Sequence, residues 1–258
     1  MTIAEKIARA KADYDAVYEA GKAAGGIGGS YDEGFEEGKQ SEYDRLWNEF
    51  WDKAQADGTR TTYQLAFTHL TPELLPPKYD IRPTNAQNIF ASNRYIKDDL
   101  RKLMGGKVLD FSNCTRVDYA FNWTGFTALG TLDFSKATIY WEVFGSSSIL
   151  ETIELLIMPT QQSNDIDWFN NCTSLKEITI QGDIANNINL KWSPLDKKSI
   201  ESVITHLSAA VSGKTLTLKK SAVNTAFETS SGAADGSNSD EWNKLIANKP
   251  SGWTISLV

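Results

Sequence analysis

The sequence predicts an α/β protein whose main body is a parallel β solenoid. Helix-containing units close its C-terminal end, and a helical, coiled-coil-like segment precedes it. Three observations carry this expectation. A motif of the form L-x-x-[LI]-x-apolar returns at 129–134 (LGTLDF), 150–155 (LETIEL) and 175–180 (LKEITI). A second motif, G-[KW]-[VT]-[LI]-x-[FL], returns at 106–111, 213–218 and 252–257, each time behind a plausible helix. Finally, a seam of apolar and small residues opens the chain at alternating steps of four and three.

The first segment, 1–58, reads as a helical stalk for oligomerisation. Ile3, Ile7, Ala10, Tyr14 and Val17 take the a/d spacing of a coiled coil, which one helix cannot bury alone. Identical copies are the expected partner, so the chain is predicted to be a homo-oligomer. The GGIGG run at 25–29 has no preceding strand and no following GK[ST], so it reads as a linker, not a phosphate cradle. Tyr43, Leu46, Trp47, Phe50 and Ala54 form the stripe of a second helix, which Gly58 ends. Residues 1–56 hold seven Lys/Arg against twelve Asp/Glu, so most of the chain's net charge of −7 sits there.

Four of the seven prolines fall between Pro72 and Pro83, which marks 59–84 as an extended junction. The solenoid is assigned to 85–190. Its repeat starts lie 21 and 25 residues apart, within the range of leucine-rich repeats. Each motif reads as a short strand in a stacked parallel ladder. Phe121, Phe144 and Phe169, a few residues upstream, fill the opposite wall of each coil. No unit can bury its apolar face alone, so neighbours must stack. The segment 191–258 reads as helix–strand units that extend and cap the same ladder. The helices are expected at 95–104, 197–210 and 241–248, the last opened by a capping box of Asn238 and Glu241.

Composition excludes several functions. A net charge of −7 disfavours a nucleic-acid groove. No apolar run approaches the roughly 18 residues of a membrane span, and the N-terminus lacks the apolar core of a signal peptide. His69 and His206 have no Ser, Cys or Asp constellation around them, and the acidic spacing at 235–241 does not fit an EF-hand. The sequons at Asn113, Asn122 and Asn171 matter only in a eukaryotic secretory setting. No catalytic residue, metal site or cofactor is expected, and the chain is expected not to be an enzyme. Cys172 aligns with Ser147 and Cys114 with Ala137, which makes both cysteines small packed residues of the coil. Trp123, Trp141, Trp168 and Trp192 fall near inter-strand turns. There, amphipathic aromatics can stack on sugars or anchor a partner, so these four are the candidate binding residues.

The run FNNCTSL at 169–175, followed by Ile178 and Ile180, resembles the unit of BspA-like leucine-rich repeat proteins, as do FSNCT at 111–115 and FSKAT at 134–138. This resemblance covers about 85–190. The segments EYDRLWN at 42–48 and PKYDIRP at 77–83, placed ahead of the repeats, are similar to phage and prophage tail-associated proteins of Gram-positive, Clostridia-like gut bacteria. That resemblance implies a place in the virion tail, tail or baseplate proteins as partners, and host attachment through a surface glycan or protein. It brings no active site. A trimer follows only by analogy with phage fibres. A purely structural tail component and a bacterial surface adhesin are the alternatives.

Overall fold

The computed structural model describes residues 44–52, 74–227 and 239–258, with the isolated helical positions Arg9 and Ala12. The proposed seam (Ile3, Ile7, Ala10, Tyr14, Val17), the GGIGG run, His69 and Asn238 lie outside the described residues.

The described chain winds into stacked coils and forms a parallel β solenoid with interspersed helices. Strands β1 (Ala128–Asp133), β2 (Thr152–Ile157) and β3 (Glu177–Gln181) make one parallel sheet in that order. Strands β4 (Ile188–Leu190), β5 (Lys214–Leu218) and β6 (Trp253–Leu257) make a second, also in order. Helices α1 (Leu100–Leu103), α2 (Lys197–Thr205), α3 (Lys220–Ala226) and α4 (Asp240–Ala247) sit between them.

The expectation that the C-terminal units prolong one ladder is corrected by α2. After β3 this helix lies along the sheet edge, and the Ile178 and Ile180 amides donate to the Ser199 and Ser202 hydroxyls, both at 2.9 Å. A helix offers no free strand edge, so the first sheet stops there. Strand β4, which lies between β3 and α2 in the chain, is on the other wall, where Ile188 bridges Ile166, and β5 and β6 add beyond it. The opposite edge of the first sheet is closed in a similar way, by the Asp99–Ala128 bridge at the start of α1. Asp99 caps α1 by accepting from the Arg101 amide, and the helix covers only Leu100–Leu103, not the expected 95–104. At α4 the cap is Ser239, whose Oγ accepts from the Trp242 amide, one residue later than the capping box expected at Asn238.

Register also departs from the motif alignment. Leu129 pairs with Ile153, and Ile153 with Ile178, so coil spacing along the sheet is 24 and then 25 residues. The motif had equated Leu129 with Leu150. The offset is three residues, because buried Phe126, not Leu129, stands 24 residues before Leu150 and takes its place. Leu129 and Leu132, like Ile153 and Leu156, point inward three apart, whereas Ile178 and Ile180 do so two apart, and β2 carries a register shift between Ile153 and Leu156.

The opposite wall is a column of phenyl rings. Phe90, Phe121, Phe144 and Phe169 stack one per coil with centroids 5.3, 5.8 and 5.4 Å apart, all fully buried. Backbone bonds hold the column in step: Phe90 donates to Ala120, Phe121 to Val143 and Phe144 to Trp168. Phe111 and Phe134 fill the space between column and sheet. At the N-terminal end, residues 44–52 are helical and bury Leu46, Phe50 and Trp51 against the same core. Trp51 Nε1 donates to the Leu74 carbonyl at 2.8 Å, and Asp52 receives both Lys78 Nζ and the Tyr79 hydroxyl at 2.8 Å.

Both cysteines are free and buried. Cys172 Sγ donates to the Phe144 carbonyl one coil back at 3.1 Å, as Ser147 Oγ donates to the Phe121 carbonyl at 2.6 Å. Cys114 and Ala137 close identical turns onto Phe111 and Phe134. Burial pushes each thiol from its ordinary 9.0 up to about 12. The native thiols stay protonated while unfolded ones ionise above pH 9, so this contribution to stability is full below that pH and is lost between pH 9 and 12. The double variant Cys114→Ala/Cys172→Ser, which installs what the neighbouring coils use, is expected to fold and to lose that part of the alkaline decline in denaturant titrations. Native protein at pH 8 should resist alkylation until unfolded.

Candidate functional site

Two places in each coil hold a left-handed residue. One is occupied by Asn88, Tyr119 and Glu142, the other by Ser92, Trp123, Ser146 and Asn171, with φ of +63°, +57°, +60° and +57° in the second set. The second set forms a ladder, since Ser92 N donates to Asn122 O, Trp123 N to Gly145 O and Ser146 N to Asn170 O. Each is followed by a small buried residue: Asn93, Thr124, Ser147 and Cys172. Ser193 closes the same turn onto Leu190 that Cys172 closes onto Phe169, and its Oγ donates to the Cys172 carbonyl at 3.3 Å. Trp192 therefore holds the same place in its coil as Trp123. One edge of the solenoid reads Ser92, Trp123, Ser146, Asn171, Trp192.

Asn and Ser suit a left-handed turn; tryptophan does not, and a bulky residue there costs on the order of 1–3 kcal/mol. Trp123 is held in that conformation with 44% of its surface exposed; Trp192, 39% exposed, holds the equivalent place without a positive φ. Each indole carries a cation. The Arg94 guanidinium lies 3.6 Å from the Trp123 ring centroid, and Lys191 Nζ lies 5.4 Å from that of Trp192. Gly125 makes the first pairing feasible, because a Cβ there would meet the Ile96 and Arg94 carbonyl oxygens at 2.7 and 2.8 Å. Its amide donates to Asn93 O, which draws the Arg94–Tyr95 backbone against the coil bearing Trp123.

An open depression of about 770 Å³ surrounds Trp123, bounded by Arg94, Tyr95, Lys97, Ser146 and Ser148. A second, of about 620 Å³, lies at Trp192 with Thr173, Lys191, Lys219 and Lys220. They abut where Thr173 Oγ1 donates to the Ser148 carbonyl at 3.3 Å. Among the described residues no Asp or Glu side chain lines either one, and Val258, the last residue of the sequence, also borders the second. A third depression, on the outer face of the first sheet, mixes Arg101 and Lys198 with Glu154, Glu177 and Asp196. No protein-family model, curated protein or solved structure matches the chain. What the geometry shows is a parallel β solenoid of the leucine-rich-repeat-like kind in general, with two open depressions along one edge.

The four candidate tryptophans separate on this surface. Trp123 and Trp192 come together on one edge. Trp141 is 52% exposed but lines neither depression. Trp168 is corrected outright: it is fully buried, packs edge-on against Phe134, Tyr140 and Phe144, and its Nε1 donates to the Tyr140 carbonyl at 2.7 Å. It bridges coils and cannot face a ligand. Tyr95, 87% exposed, was missed because it was assigned to a helix that starts only at Leu100. Its place off the Ile96–Leu100 stripe was the available signal. His206 ends α2, with Nδ1 2.7 Å from the Ser202 carbonyl. Among the described residues no group of three or more His, Cys, Asp or Glu could hold a metal ion, and no helix is long and apolar enough to cross a membrane.

Proposed function

We propose that this chain is a non-enzymatic attachment protein of a phage tail, whose solenoid edge binds a host-surface glycan or protein. The observation that carries this reading is the pair of tryptophans at one repeat position. Trp51, Trp168, Trp242 and Trp253 are buried, whereas Trp123 and Trp192 stand in open, adjoining depressions, each beside a cation. Amphipathic rings displayed on a rigid ladder cost little to order on binding, which suits shallow recognition. The tail setting is supported by the resemblance of EYDRLWN and PKYDIRP, and the oligomeric stalk by the seam at Ile3 to Val17. Several copies on one stalk would turn weak single-edge binding into avid attachment, provided the edges engage together.

The test is binding of labelled full-length protein to Gram-positive host cells. Trp123→Ala/Trp192→Ala should lower retention at least about tenfold, since aromatic anchors of this kind are worth roughly 2 kcal/mol or more each. Trp141→Ala, exposed but away from the edge, should leave retention unchanged. Equal retention of the double variant and the parent would dismiss the edge as the attachment surface.

A further inference from the structure

We propose that the ligand of this edge is a linear anionic polysaccharide lying along the coils from Trp123 to Trp192. The inference rests on the edge being the binding surface and adds the chemical class of what it binds. Its first support is charge. The chain carries a net −7, yet the depressions gather Arg94 and Lys97 at one end and Lys191, Lys219 and Lys220 at the other, with no described Asp or Glu side chain in either lining and only Val258, the last residue, to set against five cations. A local field of opposite sign to the whole molecule is the mark of a surface that draws in anions.

Its second support is shape. Trp123 and Trp192 are separated by three coil steps, roughly 14–15 Å at the spacing of hydrogen-bonded strands, a length that a few sugar rings span. Between them the edge presents Ser146, Ser148, Asn171 and Thr173, short polar groups suited to ring hydroxyls. The two depressions are open and their linings meet at the Ser148–Thr173 contact, so a chain laid along the edge can reach both without an end being captured. A nucleic acid is less suited. It needs a densely basic groove to offset a charge at every phosphate, and the five cations here are split into two groups on an acidic protein. A glycan with spaced carboxylates or phosphates matches aromatic faces, hydroxyls and separated cations together.

Isothermal titration of the full chain decides it, with four probes: an oligogalacturonate, its methyl-esterified neutral form of equal length, a poly(glycerol phosphate) oligomer and oligo-dT. At least one of the two anionic oligomers is expected to bind ten times more tightly than the neutral form. That binding should weaken about tenfold between 50 and 300 mM salt, as screening and counterion release require. Arg94→Ser/Lys97→Ser and, separately, Lys191→Ser should each weaken it at least fivefold and flatten the salt dependence, with unchanged thermal melts. If the neutral form binds equally well and Trp123→Ala/Trp192→Ala abolishes it, the anionic class is wrong and the edge stands. If oligo-dT binds most tightly, the ligand is a nucleic acid and the inference falls. If no probe binds while cell retention still depends on the two tryptophans, the inference falls alone. If cell retention also ignores the tryptophans, the attachment reading falls with it.

Discussion

Phe144→Ala is expected to destabilise the solenoid by about 3–5 kcal/mol, the usual cost of truncating a buried phenyl ring. Phe144 stands mid-column, stacked between Phe121 and Phe169 at 5.8 and 5.4 Å, and also meets Phe134 and Trp168. Its loss opens a cavity that touches both walls of the coil. In a solenoid, stability comes from each unit's contact with its neighbours, so a hole at the centre weakens two interfaces at once. Phe169 provides the comparison, because it ends the phenyl column, with Phe144 stacked on one side and Trp168 beside it. Denaturant titration should therefore show a smaller loss for Phe169→Ala than for Phe144→Ala. Equal losses, or a loss under about 1 kcal/mol at Phe144, would mean that the column does not couple the coils.

The second large effect concerns the sheet edge. Ser199→Ala/Ser202→Ala removes the acceptors of the Ile178 and Ile180 amides. A buried donor left without a partner costs about 1–3 kcal/mol. Ser199 is buried and Ser202 partly so, and the larger share is expected from Ser199. Ile178 and Ile180 should lose hydrogen-exchange protection, while amides of β5 and β6, on the other wall, should keep theirs. Unchanged protection at Ile178 and Ile180 would show that α2 does not close the sheet through its serines. The same two residues explain why the first sheet ends at three strands. A helix that meets a strand edge with hydroxyls satisfies the amides without offering a new edge, which also removes a site for unwanted pairing.

The site was legible in part. Of the tryptophans placed near turns, Trp123, Trp141 and Trp192 are exposed, and Trp123 and Trp192 share one repeat position. Trp168 could not be told from them in sequence, since its burial depends on Tyr140 and Phe134 in the coil before it. Neither could the cations be gathered. Arg94 and Lys97 precede Trp123 by nearly a full coil, and Lys219 and Lys220 follow Trp192 by more than one, so only the winding of the chain brings each set to its tryptophan.

The sequence by itself determined the solenoid. A repeat returning every 21 to 25 residues, with one phenyl and two aliphatic positions per unit, can be buried only by stacking. It also determined that Cys114 and Cys172 are small packed residues, because Ala137 and Ser147 fill the same places. The tertiary structure decided register, sheet division and the candidate edge. Register turned on Phe126, which fills the place of Leu150 and sets the first motif off by three residues, and on one extra residue in β2 against β3; apolar spacing resolves neither when Leu, Ile and Phe recur at two- and three-residue steps. The division into two sheets turned on hydroxyls of α2 reaching strand amides, a contact between elements that no local pattern encodes. The edge arose because each coil advances by one strand spacing. Residues two dozen positions apart become neighbours, and a cation and an indole distant in the chain meet face to face.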